Sequence, residues 1–216
     1  MAGIGAALAV LWGMALWHAA AAGDLAVRVT DADGRPLADA VVTLGRPGMT
    51  PASGTAPDTR HVIDQTDETF VPYVEIVPLG GQLVFTNSDR TRHHVYSFSP
   101  TKTFQFVLAP GEASQPVVFD RPGVVAVGCN IHDQMVAYVY VADRPWAGRT
   151  DKDGRAVLTG LSDGDYELVA WHPRLRPGRQ PASREVAVGA TAAGPVVALD
   201  VLPEPRTRPG HEHPRY

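Results

Sequence analysis

Gly128-Cys129-Asn130-Ile131-His132-Asp133-Gln134-Met135 places a thiol, an imidazole and a thioether at the spacing C-x2-H-x2-M. These are soft and borderline metal donors. Their close spacing lets a single loop between two strands deliver three ligands, so one more must come from elsewhere in the chain. Two histidines and a cysteine with a weak axial methionine form the trigonal set that holds copper for electron transfer, because that geometry suits both oxidation states.

Upstream, Thr86-Asn87-Ser88-Asp89-Arg90-Thr91-Arg92-His93-His94-Val95-Tyr96-Ser97-Phe98 offers the missing imidazole just after the strand-like Leu83-Val84-Phe85. Two adjacent histidines pose a choice. Neighbours on a strand point to opposite faces, so His93 and His94 do not both reach one ion. Taken singly, each donor has a plainer reading: His132 as a surface histidine, Met135 as a core filler and Cys129 as a buried thiol. Their joint occurrence argues for a metal. His61 and His172 read as structural or exposed, and His211 and His213 fall in a Pro/Arg/His-rich tail.

Away from this segment, nearly all the chain reads as short strands, with Val, Tyr, Phe and Thr runs punctuated by Gly, Pro, Asp and Asn. No long helix is expected. Around the donors, strands are predicted at 73–77, 82–87, 94–98, 103–108, 116–119, 124–127 and 134–141. On either side the texture differs. Residues 25–30 and 40–44 flank Asp31-Ala32-Asp33-Gly34-Arg35-Pro36, which reads as a hairpin with Asp-Gly turn chemistry. A second such turn, Asp151-Lys152-Asp153-Gly154, precedes 156–158 and 167–171. Both turns lack the later ligands of a calcium loop. Residues 47–59 have no periodicity and read as a linker, and 203–216 as a disordered tail.

The stretch from Val62-Ile63-Asp64-Gln65 to Val141, with its His93-His94-Val95 step and its Cys129 loop, resembles the plastocyanin and amicyanin cupredoxins, with a loop of amicyanin length. It is also similar to cupredoxin-like proteins labelled methylamine utilisation proteins. The resemblance implies a Greek-key β-sandwich, a type 1 (blue) copper held by His93, Cys129, His132 and Met135, and His132 as the edge nearest solvent. It makes His93 the ligand, with His94 where the family usually carries Asn. Asn130 likewise replaces the family's Ser or Thr. A bridge between the side chains of His94 and Asn130 is therefore expected, with the His94 N–H donating to the Cys129 sulfur.

Val27-Arg28-Val29-Thr30-Asp31-Ala32-Asp33-Gly34 through Val42 resembles the opening of a carboxypeptidase regulatory-like (transthyretin-like) sandwich, and Thr150 through Leu168 resembles its continuation. This implies an all-β chain in which a cupredoxin domain, 59–143, is inserted in a discontinuous second small sandwich, 24–58 and 144–202. Two domains in series are the alternative arrangement.

The 216 residues, 44% of them hydrophobic, are enough to bury a core, and 19 basic against 23 acidic side chains give a net charge of -4 without any basic concentration. Nucleic acid is not an expected partner. Residues 1–23 hold no Asp, Glu, Lys or Arg and run from an apolar stretch into Ala19-Ala20-Ala21-Ala22, although without a basic start. They read as an export signal cleaved near Ala22, with an uncleaved anchor as the alternative. The expected location is the periplasm, with no membrane span after cleavage. A lone cysteine there is explained by metal ligation, which occupies and shields the thiolate. Outside the tail no His-x-His pair provides the further copper centres of a multicopper enzyme. The expected role is an electron carrier, not an enzyme, serving a redox protein such as a dehydrogenase or cytochrome. The alternatives are a copper-handling or delivery protein and a binding module with structural copper.

Overall fold

The computed structural model describes residues 23–49, 60–189 and 194–204. Residues 1–22 of the segment expected to be an export signal, most of the segment 47–59 expected to be a linker, and the tail beyond 204 with His211 and His213 lie outside the described residues. Sixteen strands follow in order: β1 (Gly23–Asp31), β2 (Val41–Gly45), β3 (His61–Thr66), β4 (Thr69–Val71), β5 (Val74–Pro78), β6 (Gln82–Asn87), β7 (His93–Ser99), β8 (Lys102–Leu108), β9 (Val117–Val118), β10 (Gly123–Cys129), β11 (Val136–Ala142), β12 (Trp146–Arg149), β13 (Arg155–Leu161), β14 (Gly164–Trp171), β15 (Ala182–Val188) and β16 (Val196–Leu199). The protein is all-β, and no helix among the described residues is long and apolar enough to cross a membrane.

The strands form four sheets. The orders β13-β1-β16 and β12-β2-β14-β15 enclose one core, of Leu25, Val27, Val29, Leu44, Leu158, Tyr166 and Leu168 among others. The orders β5-β11-β10-β7-β8 and β4-β3-β6-β9 enclose another, built on Ile63, Phe85, Val95, Phe119, Val127 and Val139. Period-two burial explains the pairing. In β7, His93, Val95 and Ser97 point inward, while His94, Tyr96 and Phe98 alternate outward. We call these the outer and inner sandwiches.

The two sandwiches meet on a small apolar contact. Val41 and Trp171 of the outer sandwich pack against Val74, Ile76, Val124, Tyr138 and Tyr140 of the inner one, with Trp171 lying 5.9 Å from Tyr138 and 5.6 Å from Tyr140, ring to ring. Arg149 adds a hydrogen bond from its guanidinium to the Val74 carbonyl, 3.0 Å. This explains why β2 is buried at all five positions. One of its faces serves the outer core and the other this contact.

The hairpin expected across Asp31–Pro36 goes no further than a short antiparallel closure, with Thr30 bridging Pro36 and Leu37 N–H donating to Val29 O at 3.0 Å; β1 and β2 do not pair. The turn itself is present, since Asp31 Oδ1 accepts the N–H groups of Asp33 and Arg35 at 2.9 and 2.8 Å. The chain then crosses to the opposite sheet, so β1 pairs with β13 and β16 while β2 pairs with β12 and β14. Residues 37–40 do this: Leu37 and Ala40 are buried, and Thr150 ties them down by donating to Leu37 O at 2.6 Å and accepting from Ala40 N at 2.9 Å. Asp-Gly chemistry makes a turn, but packing of the flanking residues decided where the next strand went.

Candidate metal centre

Three donor atoms meet at one end of the inner sandwich. Cys129 Sγ lies 3.7 Å from His93 Nδ1 and 3.8 Å from His132 Nδ1, and the two Nδ1 atoms are 3.2 Å apart. Metal–nitrogen bonds near 2.0 Å and a metal–sulfur bond near 2.3 Å, opened to roughly 120°, give sulfur–nitrogen edges of about 3.7 Å. The triangle therefore has the size of a trigonal metal site.

Local chemistry holds each donor. His93 opens β7 fully buried, and the loop before it is closed by Asn87, whose Nδ2 donates to Thr91 O and Leu108 O at 2.9 and 3.0 Å. Asn87 Oδ1 accepts from the N–H of Asp89, which puts the Asp89 carboxylate 2.8 Å from His93 Nε2. A carboxylate only accepts, so the imidazole proton sits on Nε2 and the Nδ1 lone pair faces the site. Burial alone would raise the Asp89 pKa. The Glu68 N–H, the His93 imidazole and the Asp67 N–H outweigh it and hold the group below its ordinary value, hence ionised.

Cys129 ends β10, 3% exposed, and the next N–H, of Asn130, donates to His94 O at 3.0 Å, which ties the two ligand segments together. The loop then closes on itself. Met135 N donates to His132 O at 3.0 Å, and Cys129 N donates to Met135 O at 3.3 Å. Met135 is thus buried, 2% exposed, with its backbone bound to both loop ligands, while His132 keeps part of its ring in solvent. Gly128 is needed beside the cysteine because a Cβ there would sit 2.9 Å from Cζ of Tyr96, whose ring covers it.

The structure brings His93, Cys129 and His132 together and buries Met135 in the same loop; His94 turns to the other face. The expected side-chain bridge is absent. His94 and Asn130 line a shallow cavity of about 290 Å³ with Tyr96, Phe98 and Gln105, and no hydrogen bond joins their side chains. Nor does the His94 N–H reach the Cys129 sulfur among the hydrogen bonds of the described residues. The link between the ligand segments is carried by the main chain, so it tolerates both substitutions. Sequence reasoning missed Asp89, Asn87 and Glu68. Asn87-Ser88-Asp89 reads as ordinary turn residues, and only the fold shows which imidazole they meet. His61 pairs with Glu75 at 2.7 Å and His172 is buried in the outer sandwich, so both are structural.

The donor set fits a type 1 copper ion: two imidazole nitrogens and a thiolate in a plane, with a thioether in the same loop. Two imidazole nitrogens and a sulfur converge within 3.8 Å of one another. That is the environment a cation completes.

No protein-family model matches the chain, and no curated protein matches it. Part of it is similar to solved structures. A purple cupredoxin from Nitrosopumilus maritimus aligns at 23% identity over 38% of this chain and 99% of its own, TM-score 0.34. A copper-containing nitrite reductase from Thermus scotoductus SA-01 aligns at 22% identity over 45% of this chain and 28% of its own, TM-score 0.35. A reduced amicyanin variant aligns at 18% identity over 46% of this chain and 99% of its own, TM-score 0.36. The donor chemistry, not these likenesses, identifies the metal.

Proposed function

We propose that the protein is an exported type 1 copper protein that carries single electrons between redox partner proteins. The triangle of His93 Nδ1, His132 Nδ1 and Cys129 Sγ, closed by the Met135 loop, carries this reading. A copper ion bound there supplies a one-electron couple between its cupric and cuprous states. Asp89 fixes the His93 tautomer, and the Asn87 and Met135 hydrogen bonds hold both loops in place, so the donors need little rearrangement when the charge at the site changes. Burial of His93, Cys129 and Met135 excludes water from three sides.

His132 is the partly open ligand, beside Ile131 and Val136, which are 52% and 39% exposed. A small apolar rim of this kind suits the brief, low-area encounters of electron transfer. The same reading takes 24–58 and 144–202 as one transthyretin-like module with the copper domain inserted in it. The partition of the sheets supports this, since β1, β2 and β12 to β16 share one pair of sheets and β3 to β11 the other. Residues 1–23 direct export to the periplasm.

Voltammetry of the copper-loaded protein, repeated with a Cu(I) chelator present, tests the assignment. A reversible one-electron wave that survives the chelator is expected of a carrier. Loss of copper to the chelator at each reduction would replace that reading with copper delivery.

A further inference from the structure

Beyond the four ligands, the copper end holds an arrangement with a separate consequence. β3 and β4 are joined through Asp67 and Glu68, two consecutive non-glycine residues at φ 51° and 51°, a left-handed pair that side chains disfavour. Asp89 holds them there. Its Oδ1 accepts from the Asp67 N–H at 2.6 Å and its Oδ2 from the Glu68 N–H at 3.0 Å, while Oδ2 also meets His93 Nε2. The turn so fixed directs the Glu68 carboxylate toward the second imidazole. Glu68 Oε1 is 3.6 Å from His132 Nε2, near but too far for a hydrogen bond, and Oε2 accepts from Gln134 Nε2 at 3.4 Å. Each histidine therefore presents one nitrogen to the donor triangle and the other to a carboxylate.

We propose that Glu68, positioned by Asp89, is an anionic counterweight behind His132 that favours the cupric over the cuprous state and so sets a lower reduction potential than the four ligands alone would give. This rests on the copper reading above. With one thiolate among the ligands, the centre carries one more positive charge when cupric than when cuprous, and a fixed anion beside a ligand stabilises the more positive state. A neutral ligand contact would not discriminate between the two. Glu68 is a positioning residue, since it acts through His132 and touches no other donor of the site.

The test compares wild type, Glu68→Gln and Glu68→Lys in the full chain, measuring reduction potential and the separate affinities for Cu(II) and Cu(I), with the visible band reporting loading. Cu(II) affinity should fall roughly tenfold relative to Cu(I) in Glu68→Gln, a rise of about 59 mV for one electron, and further in Glu68→Lys. Added salt should shrink both differences, because Glu68 is partly exposed. Potentials that stay at the wild-type value in both variants, with the visible band present, would overturn the counterweight and leave the copper centre standing. A wild-type protein with no such band would instead remove the copper reading itself.

Discussion

The two sandwiches differ in where their buried imidazoles turn. In the outer one, Thr150 closes on Leu37 and Ala40, Tyr166 Oη on Ser162 O at 2.9 Å, and His172 on Ala38 O through Nε2 and on Arg174 N through Nδ1. In the inner one, His93, His132 and Cys129 turn their donor atoms toward each other, and the backbone satisfies the surrounding loops instead. Buried polar groups that close on the backbone stabilise a fold; two imidazoles and a thiol that turn their donor atoms on one another have the chemistry of a metal site.

The comparison breaks first if the two halves do not separate under mutation. Tyr166 is fully buried in the outer core, and Tyr166→Ala should cost about 3–5 kcal/mol by denaturant unfolding. Under native conditions the variant should still bind one copper with an unchanged spectrum. Loss of the copper signal from a folded variant would show that the outer core shapes the site.

His172 sharpens the contrast through pH. Burial, with a further push from the Arg174 charge and partial opposition from the Ala38 bond, lowers its pKa to about 4. Its Nδ1 accepts a backbone N–H, so protonation there would set two donors against each other. The folded value lies below the ordinary 6.5, so the neutral histidine's contribution is whole above about pH 6.5 and is lost as pH falls toward and through 4. About 2.5 units correspond to roughly 3 kcal/mol. Metal-free wild type should lose that much more stability than His172→Gln between pH 7 and pH 4. Parallel losses in the two proteins would contradict the buried neutral imidazole.

Copper loading gives a slightly smaller effect. At a free concentration 100 times its Kd, a ligand bound only by the folded state adds about 2.7 kcal/mol. Amide exchange should slow mainly in β7, β10 and β11, with β1 and β13 little changed. Equal protection in both sandwiches would mean that the Trp171 contact couples them into one cooperative unit.

Much of this division is legible in the sequence. The strand at 103–108 follows period-two alternation closely, and C-x2-H-x2-M with an upstream histidine announces the donors. Alternation also separates His93 from His94, one inward and one outward. Other features need the fold. The Asp31 turn looks like a hairpin because local chemistry cannot reveal that Leu37 and Ala40 will bury against a different sheet. Short strands such as Thr69–Val71, Trp146–Arg149 and Val196–Leu199 carry too few residues for a periodic signal. Asp89 and Glu68 are unremarkable acids until a loop closed by Asn87 and a left-handed turn bring them to the imidazoles.

The most direct test is the visible and EPR spectrum of the protein after one equivalent of Cu(II), with Cys129→Ser as the control. The account predicts an intense thiolate-to-copper band near about 600 nm with narrow copper hyperfine splitting, both lost in the variant. A colourless protein, or tetragonal copper signals that Cys129→Ser leaves unchanged, would contradict it.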